Sequence, residues 1–330
     1  MSRILNFKDI YINNSSTVSG PKEKSGPLGN YFDYHYNDLR LNQKSFEKAE
    51  ILMQKEAISI LLRKSGLTSS EIGAAFGGDL INQEIISNYT LRDFDTPYIG
   101  VYGACSTSVL SVLMASLYLS KCGEEYAIAF TSSHNATSER QFRNPTEYGG
   151  AKVDTTTSTV TGCGCVLLSS NKSEIKITKG MFGKVIDLDQ KNITDMGRAM
   201  APAACESLIE FFEITKTTPK DYDLIVTGDL SKYGSEIVKK ILVDKYGSYG
   251  NYDDCGLMIY DIDKQKVFAG GSGCGCCALV TYSFIFDQMK KKILNRVLVA
   301  ATGALMNTTS SLQKESIPAI SHIMLLESVE

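Results

Sequence analysis

The sequence predicts a duplicated α/β protein: two similar halves, residues 1–175 and 176–330, each covering a buried sheet with helices. Three observations predict it. One order of segments runs twice along the chain: helix, strand closing on Gly-Asp, Gly-rich turn carrying cysteine, buried helix, apolar strand. Cys105 stands as far before Thr131 as Cys276 stands before Thr302. A chain of 330 residues with 43% hydrophobic content suits two units of ordinary domain size and can bury a sizeable core.

In the first half, Glu47 to Lys64 has the periodicity of an amphipathic helix. Ile72 to Leu80 follows as a strand ending in Gly-Gly-Asp, and Pro97 to Tyr102 as a second strand. That strand runs into the turn Gly103-Ala104-Cys105-Ser106-Thr107-Ser108, a buried helix over Val109 to Ser120 and a strand over Tyr126 to Thr131. In the second half, Ala204 to Phe212 reads as the helix and Tyr222 to Leu230 as the strand ending in Gly-Asp-Leu. Lys266 to Ala269 leads into the Gly270–Cys276 turn, then a helix over Cys277 to Lys290 and a strand over Arg296 to Thr302. Extra chain around Asp244 to Lys264 reads as an insertion. Strands alternating with helices imply mixed or parallel sheets covered on both faces.

Composition excludes several function classes. The net charge of −3, with both signs interspersed, argues against a nucleic-acid partner, which needs a clustered basic face. The longest apolar runs, Val109 to Leu119 and Cys277 to Phe286, fall short of the roughly 18–20 residues that span a bilayer. The N-terminus lacks the apolar core of a signal peptide, so the chain is expected to start out in the cytosol. The nine cysteines are odd in number and several sit in apolar or Gly-rich runs, which reads as reduced, buried thiols.

Two α/β halves with a Gly-Ala-Cys-Ser turn opening a buried helix resemble the thiolase superfamily of condensing enzymes. The resemblance implies a duplicated five-layer αβαβα sandwich and a homodimer, with Thr157 to Leu168 as the strand pair closing the first half. It narrows over GPKEKSGPLG (Gly20 to Gly29), GACSTS, TSSHNATSERQFRNPTEYGG (Thr131 to Gly150), DMGRAMAPAA (Asp195 to Ala204), YDLIVTGDLS, DDCGLMIY (Asp253 to Tyr260) and FAGGSGC. These stretches resemble the stage V sporulation protein AD family of endospore-forming bacteria, from about Gly20 to about Ile320. That resemblance implies a binder of dipicolinic acid, or of its calcium chelate, in the apparatus that moves it into the developing spore. It also implies a peripheral place at the spore inner membrane, beside membrane-embedded stage V proteins. No cofactor is expected.

Cys105 stands where a thiolase or ketoacyl synthase keeps its acyl-accepting nucleophile. A helix N-terminus lowers a thiol's pKa, and its free N–H groups form an oxyanion hole; the bland alternative is a small residue filling a turn. The acid or base expected from the second half is missing. The equivalent positions fall near Gly228, at about Ser272 and at about Ala301. Without a general base, acyl transfer loses orders of magnitude, so ordinary thiolase activity is not expected. The competing reading keeps an acyl transferase or ketoacyl synthase-like enzyme with Cys105 as nucleophile. Of the three histidines, His134 is the candidate for a ligand-facing role, against that of a histidine bonded within its own loop.

For a planar dicarboxylate, the two Gly-rich turns are expected to form a two-sided grip. Cys105, Ser106 and Thr107 meet one carboxylate, and Ser272, Gly273 and Cys274 the other, through helix N-termini and hydroxyls. Arg140 and Arg143 are the cation candidates, against the ordinary alternative of solvent-facing arginines. Cys163-Gly164-Cys165 and Cys274-Gly275-Cys276-Cys277, packed among Gly and apolar residues, read as buried small side chains rather than a metal site. Asp79 and Asp229 end equivalent strands and read as structural acceptors of backbone N–H groups. Asp253-Asp254 reads as a turn, and Gly20 to Gly29 as a loop that covers the pocket, contacts a partner or is merely solvated.

Overall fold

The computed structural model describes residues 3–142 and 151–329. The principal elements of the first half are β1 (Tyr11–Ser19), α1 (Phe46–Ser65), β2 (Ala74–Gly78), α2 (Ile85–Leu91), β3 (Tyr98–Gly100), α3 (Thr107–Cys122), β4 (Tyr126–Ser133), α4 (Asn135–Phe142) and β5 (Gly162–Ser169). Those of the second are β6 (Ile175–Met181), α5 (Met196–Thr215), β7 (Leu224–Thr227), α6 (Ser231–Tyr246), β8 (Tyr252–Asp254), α7 (Cys274–Val280), α8 (Phe286–Lys290), β9 (Arg296–Ala304) and β10 (Ala319–Ser328). A single π-helical stretch, Thr281–Ile285, joins α7 to α8.

The strand order is the same in both halves: β1-β5-β4-β2-β3, then β6-β10-β9-β7-β8. In each, the last three strands are parallel, and β5 or β10 runs antiparallel to its neighbours. The two sheets meet edge to edge where Tyr11 lies opposite Lys176 and Ile12 opposite Ile175. Helix α1 covers one outer face, packing Met53, Ala57 and Leu61 against Ile128, Phe130 and Cys165. Helices α5 and α6 cover the other with Leu208, Phe211 and Val238. Between the sheets lie α3 and α7, whose Val112, Leu113, Ala278 and Leu279 share one cluster with side chains of both sheets. The result is the five-layer αβαβα sandwich.

The middle layer explains an oddity of composition. Helix α3 carries fully buried Ser111 and Ser116, and their hydroxyls donate to the carbonyls of Ser108 and Val112 within the same helix. Small side chains that satisfy themselves let two helices approach inside a dry layer. The stretch Ala104–Cys122 is, by length and composition, apolar enough to cross a membrane, more than the shorter run read from the sequence. Here it is the core helix between two sheets.

The duplication extends to local chemistry. Thr68 with Glu71, and Thr218 with Asp221, form matching capping boxes on the short turns between first helix and second strand. Two expectations are corrected. The stretch around Asp244 to Lys264 is not all insertion: it holds β8, at Tyr252–Asp254, the edge strand of the second half, so the extra chain lies in a longer α6 and in the residues after β8. Thr157 to Leu168 is not a strand pair: β5 joins the sheet, whereas Ser158–Thr159 pairs with Gly271–Ser272 and ties the halves together.

Candidate functional site

The Cys105 turn is built by its own side chains. Ala104 sits in the left-handed region at φ 48°, a conformation that costs an L-residue roughly 1–2 kcal/mol. Ser106 Oγ donates to the Gly103 carbonyl at 2.6 Å. Thr107 Oγ1 donates to the Ala104 carbonyl at 2.7 Å and accepts from the Gly103 N–H at 3.1 Å. Gly103 has no room for a Cβ, which would lie 2.6 Å from Ser106 Oγ. Ser106 and Thr107, expected to grip a ligand, are instead buried and committed to the turn.

The opposite turn is similarly occupied. Gly273 adopts φ 100°, and a Cβ there would lie 2.8 Å from Ser133 Oγ. Its N–H donates to Asp229 Oδ2 at 2.8 Å, and the Gly275 N–H donates to Ser133 Oγ at 3.2 Å. Cys274 is buried and its thiol donates to the Ser132 carbonyl at 2.9 Å. The expected two-turn grip is thus corrected at Gly273, whose N–H already has a protein acceptor, and the Cys274 thiol is turned to Ser132.

Between the turns lies a cavity of about 60 Å³. Cys105 and Ser272 line it, together with Tyr102, Ser138, Thr159 and Asp229, and Met196, Met200 and Met306 form much of its apolar wall. Cys105 keeps part of its surface open to this space although protein surrounds it. Its thiol does not have the lowered pKa that the turn alone suggests. Burial first, then the Asp229 carboxyl, hold it well above the ordinary cysteine value. The arrangement keeps Cys105 a thiol rather than a nucleophilic thiolate.

Asp229 corrects the expectation that the run near Gly228 supplies no acid or base. It is fully buried. Burial pushes its carboxyl well above the ordinary range, opposed by the Cys105 thiol and the Gly273 N–H. Its Oδ1 has no hydrogen-bond partner of good geometry, and neither has the buried Oγ of Ser138 on the same cavity.

The contrast with Asp79 explains this. Asp79 accepts from Ile81 N, Ser87 N and Ser87 Oγ at 2.7–2.9 Å, the structural role expected for both aspartates. In the second half, Asp254 takes the neighbouring donors. It accepts from Leu230 N, Ser231 N, Gly256 N and Thr227 Oγ1 at 2.6–2.9 Å. Asp254 ends a strand and organises the start of α6, so it is not the simple turn residue expected. Its capture of those N–H groups leaves Asp229 to face the cavity.

The histidines lie elsewhere. His134 is buried; its Nε2 meets the Leu39 carbonyl at 2.8 Å and its Nδ1 accepts from Ala136 N at 3.1 Å. Burial lowers its pKa to about 4, and both ring nitrogens have protein partners, one within its own loop and the other at the distant Leu39. His322 accepts from Gly183 N and is likewise lowered to about 4. His35 contacts Lys24. Arg140 forms an ion pair with Glu47 and lines a different surface groove, with Asn82 and Thr308. Arg143 lies outside the described residues. Of the nine residues expected to bind, the structure brings Cys105 and Ser272 together at the cavity. Sequence reasoning missed Ser138, Tyr102, Thr159, the methionines and the role of Asp229, for which the duplicated Gly-Asp was the available signal.

Comparison with known proteins bears on the family and the fold. The family model described as Stage V sporulation protein AD matches residues 2–327. Stage V sporulation protein AD of Bacillus subtilis (strain 168) is 50% identical over 319 residues, spanning 96% of this chain and 94% of that one. Among solved structures, an OleA variant from Xanthomonas campestris matches with a TM-score of 0.62 at 11% identity over 98% of this chain and 99% of its own. The 3-oxoacyl-[acyl-carrier-protein] synthase III of Aquifex aeolicus gives 0.58 at 10% identity over 96% and 99%. At such identities the structural likeness speaks for the fold alone.

Proposed function

The chain belongs to the stage V sporulation protein AD family, and from that premise we propose that it acts in sporulation as a binder of dipicolinic acid at the Cys105 cavity. The observation that carries the reading is the pair of unpartnered polar atoms, Ser138 Oγ and Asp229 Oδ1, lining a cavity beside the Ser272 and Thr159 hydroxyls. Buried polar atoms left without partners are rare in folded proteins and favour a ligand or water that completes them. A planar aromatic dicarboxylate offers a flat apolar body to the methionine wall and acceptors to the hydroxyls. It needs more than 60 Å³, and unbranched methionine side chains are suited to moving outward to admit it.

Loss of ordinary condensing activity fits the same geometry. The thiol is held protonated by burial and by Asp229, and the three histidines have their contacts elsewhere. Calorimetric titration with dipicolinate, beside pyridine-2-carboxylate, tests the proposal. The dicarboxylate is expected to bind at least tenfold tighter; no heat with either ligand refutes the reading. A stable acyl mass on Cys105 after incubation with acyl-CoA would favour the enzyme reading instead, for which the position of Cys105 in the cavity speaks.

In this proposal the protein works at the forespore inner membrane beside membrane-embedded stage V proteins, as a homodimer. The dimer reading is supported by the open edge of the first sheet. There Ile99 on β3 and the nearby Tyr89 and Tyr102 are 37%, 45% and 44% exposed, whereas Tyr252 and Asp254 on the equivalent strand β8 are buried.

A further inference from the structure

The cavity has an electrostatic problem that the hydroxyls do not solve. Its described lining includes no lysine, arginine or histidine, and its one acidic member is Asp229. Arg140, the cation expected from the sequence, is paired with Glu47 in another groove. An ionised Asp229 beside a buried dianion would leave like charges facing one another away from water, which is far too costly to persist. Asp229 cannot swing aside without breaking the bond from the Gly273 N–H, and its free oxygen borders the same space as the free hydroxyl of Ser138.

We infer that Asp229 meets the bound ligand as a carboxylic acid, donating its O–H to a ligand carboxylate, so that the site takes up anion and proton together. This rests on the dicarboxylate reading above and adds its charge balance. The proton resides on Asp229 Oδ1. Oδ2 goes on accepting from Gly273, and Ser138 Oγ donates alongside. Burial favours this state most, and so do the thiols of Cys274, Cys276 and Cys277 on α7 and the Asp254 carboxyl at the end of β8. The Cys105 thiol on the first turn and the Gly273 N–H favour the ionised form, and burial outweighs them. None is a cation, and a second carboxyl nearby opposes ionisation of the first. Asp254, itself raised to about 7, has four donors of its own, whereas Asp229 has an oxygen to offer. The alternative source of positive charge is a divalent cation entering with the ligand, which requires Asp229 ionised. The two make opposite predictions.

The test is calorimetric titration of the full-length protein with dipicolinate from pH 6 to 9, with and without calcium, beside Asp229→Asn and Ser138→Ala. The ligand carboxyls stay ionised across this range. The native affinity is expected to fall by up to about tenfold per pH unit once Asp229 ionises, with no need for calcium. The Asn variant keeps an acceptor for Gly273 and an N–H donor for the ligand. It is expected to bind several-fold more weakly at pH 6 and to show a flat pH profile. Ser138→Ala, which leaves the Asp229 carboxyl in place, is expected to bind about tenfold more weakly and to keep the native slope. A flat native profile, or an Asn variant with the native slope, overturns the inference. So does binding that requires calcium and is abolished in the Asn variant. Absence of native binding at every pH, with and without calcium, instead removes the dicarboxylate reading on which it rests.

Discussion

A second buried carboxyl network sits behind the first-half strands, and it sets a pH dependence of stability. Glu50 accepts from Ser132 Oγ and Thr137 Oγ1 at 2.8 and 2.9 Å. Gln54 joins Ser132 to Ser87, whose hydroxyl reaches Asp79. Burial, then the nearby Asp79, raise Glu50 to about 8. A carboxyl whose folded pKa lies above its unfolded one binds more protons in the folded state. The folded protein therefore loses stability as pH climbs from about 4.5 towards 8. Glu50→Gln, which removes the ionisation and keeps hydrogen-bonding groups, is expected to flatten that loss. The difference is of order 2 kcal/mol between pH 6 and 8, read from urea midpoints at each pH. Equal slopes for both proteins would show that Glu50 does not titrate in this window.

At the scale of elements, the two halves end their first helices differently. Helix α1 closes on Gly66 at φ 67°, whereas α5 closes on Lys216 at φ 56° in the same left-handed conformation. Lys216→Gly is expected to stabilise the protein by roughly 0.5–1 kcal/mol, visible as a higher denaturant midpoint with unchanged slope; a lower midpoint would refute it. Apolar periodicity, together with the Gly-Asp and Gly-Cys repeats, made the elements and their order legible in the sequence. Strand β8 escaped because Tyr252–Asp254 is three residues long, too short for periodicity to register. The site was less legible for a related reason. That Ser106 and Thr107 turn inward is decided by carbonyls within their own turn. Asp229 differs from Asp79 because Asp254, 25 residues further on, takes Leu230 N and Ser231 N.

At the scale of the whole molecule, duplication gave two equivalent edges and two equivalent turns, and each pair has diverged. One edge is buried and the other exposes Ile99. Ile99→Arg is expected to convert a dimer into a monomer by analytical ultracentrifugation with the fold intact; a native protein already monomeric would contradict that assembly. Of the two turns, the first keeps a partly open Cys105, while in the second Cys274 is sealed against Ser132. On the proposed reading, the cavity between them is where the fold keeps its shape and takes a dicarboxylate ligand. The most direct test of that claim compares dipicolinate binding by the native protein with binding by Cys105→Leu. The larger side chain fills the cavity at a cost of about 1–3 kcal/mol, which a melting curve monitors. Binding by the native protein and at least a tenfold loss in the folded variant is the predicted result. Undiminished binding by the folded variant would put the ligand elsewhere and contradict the account.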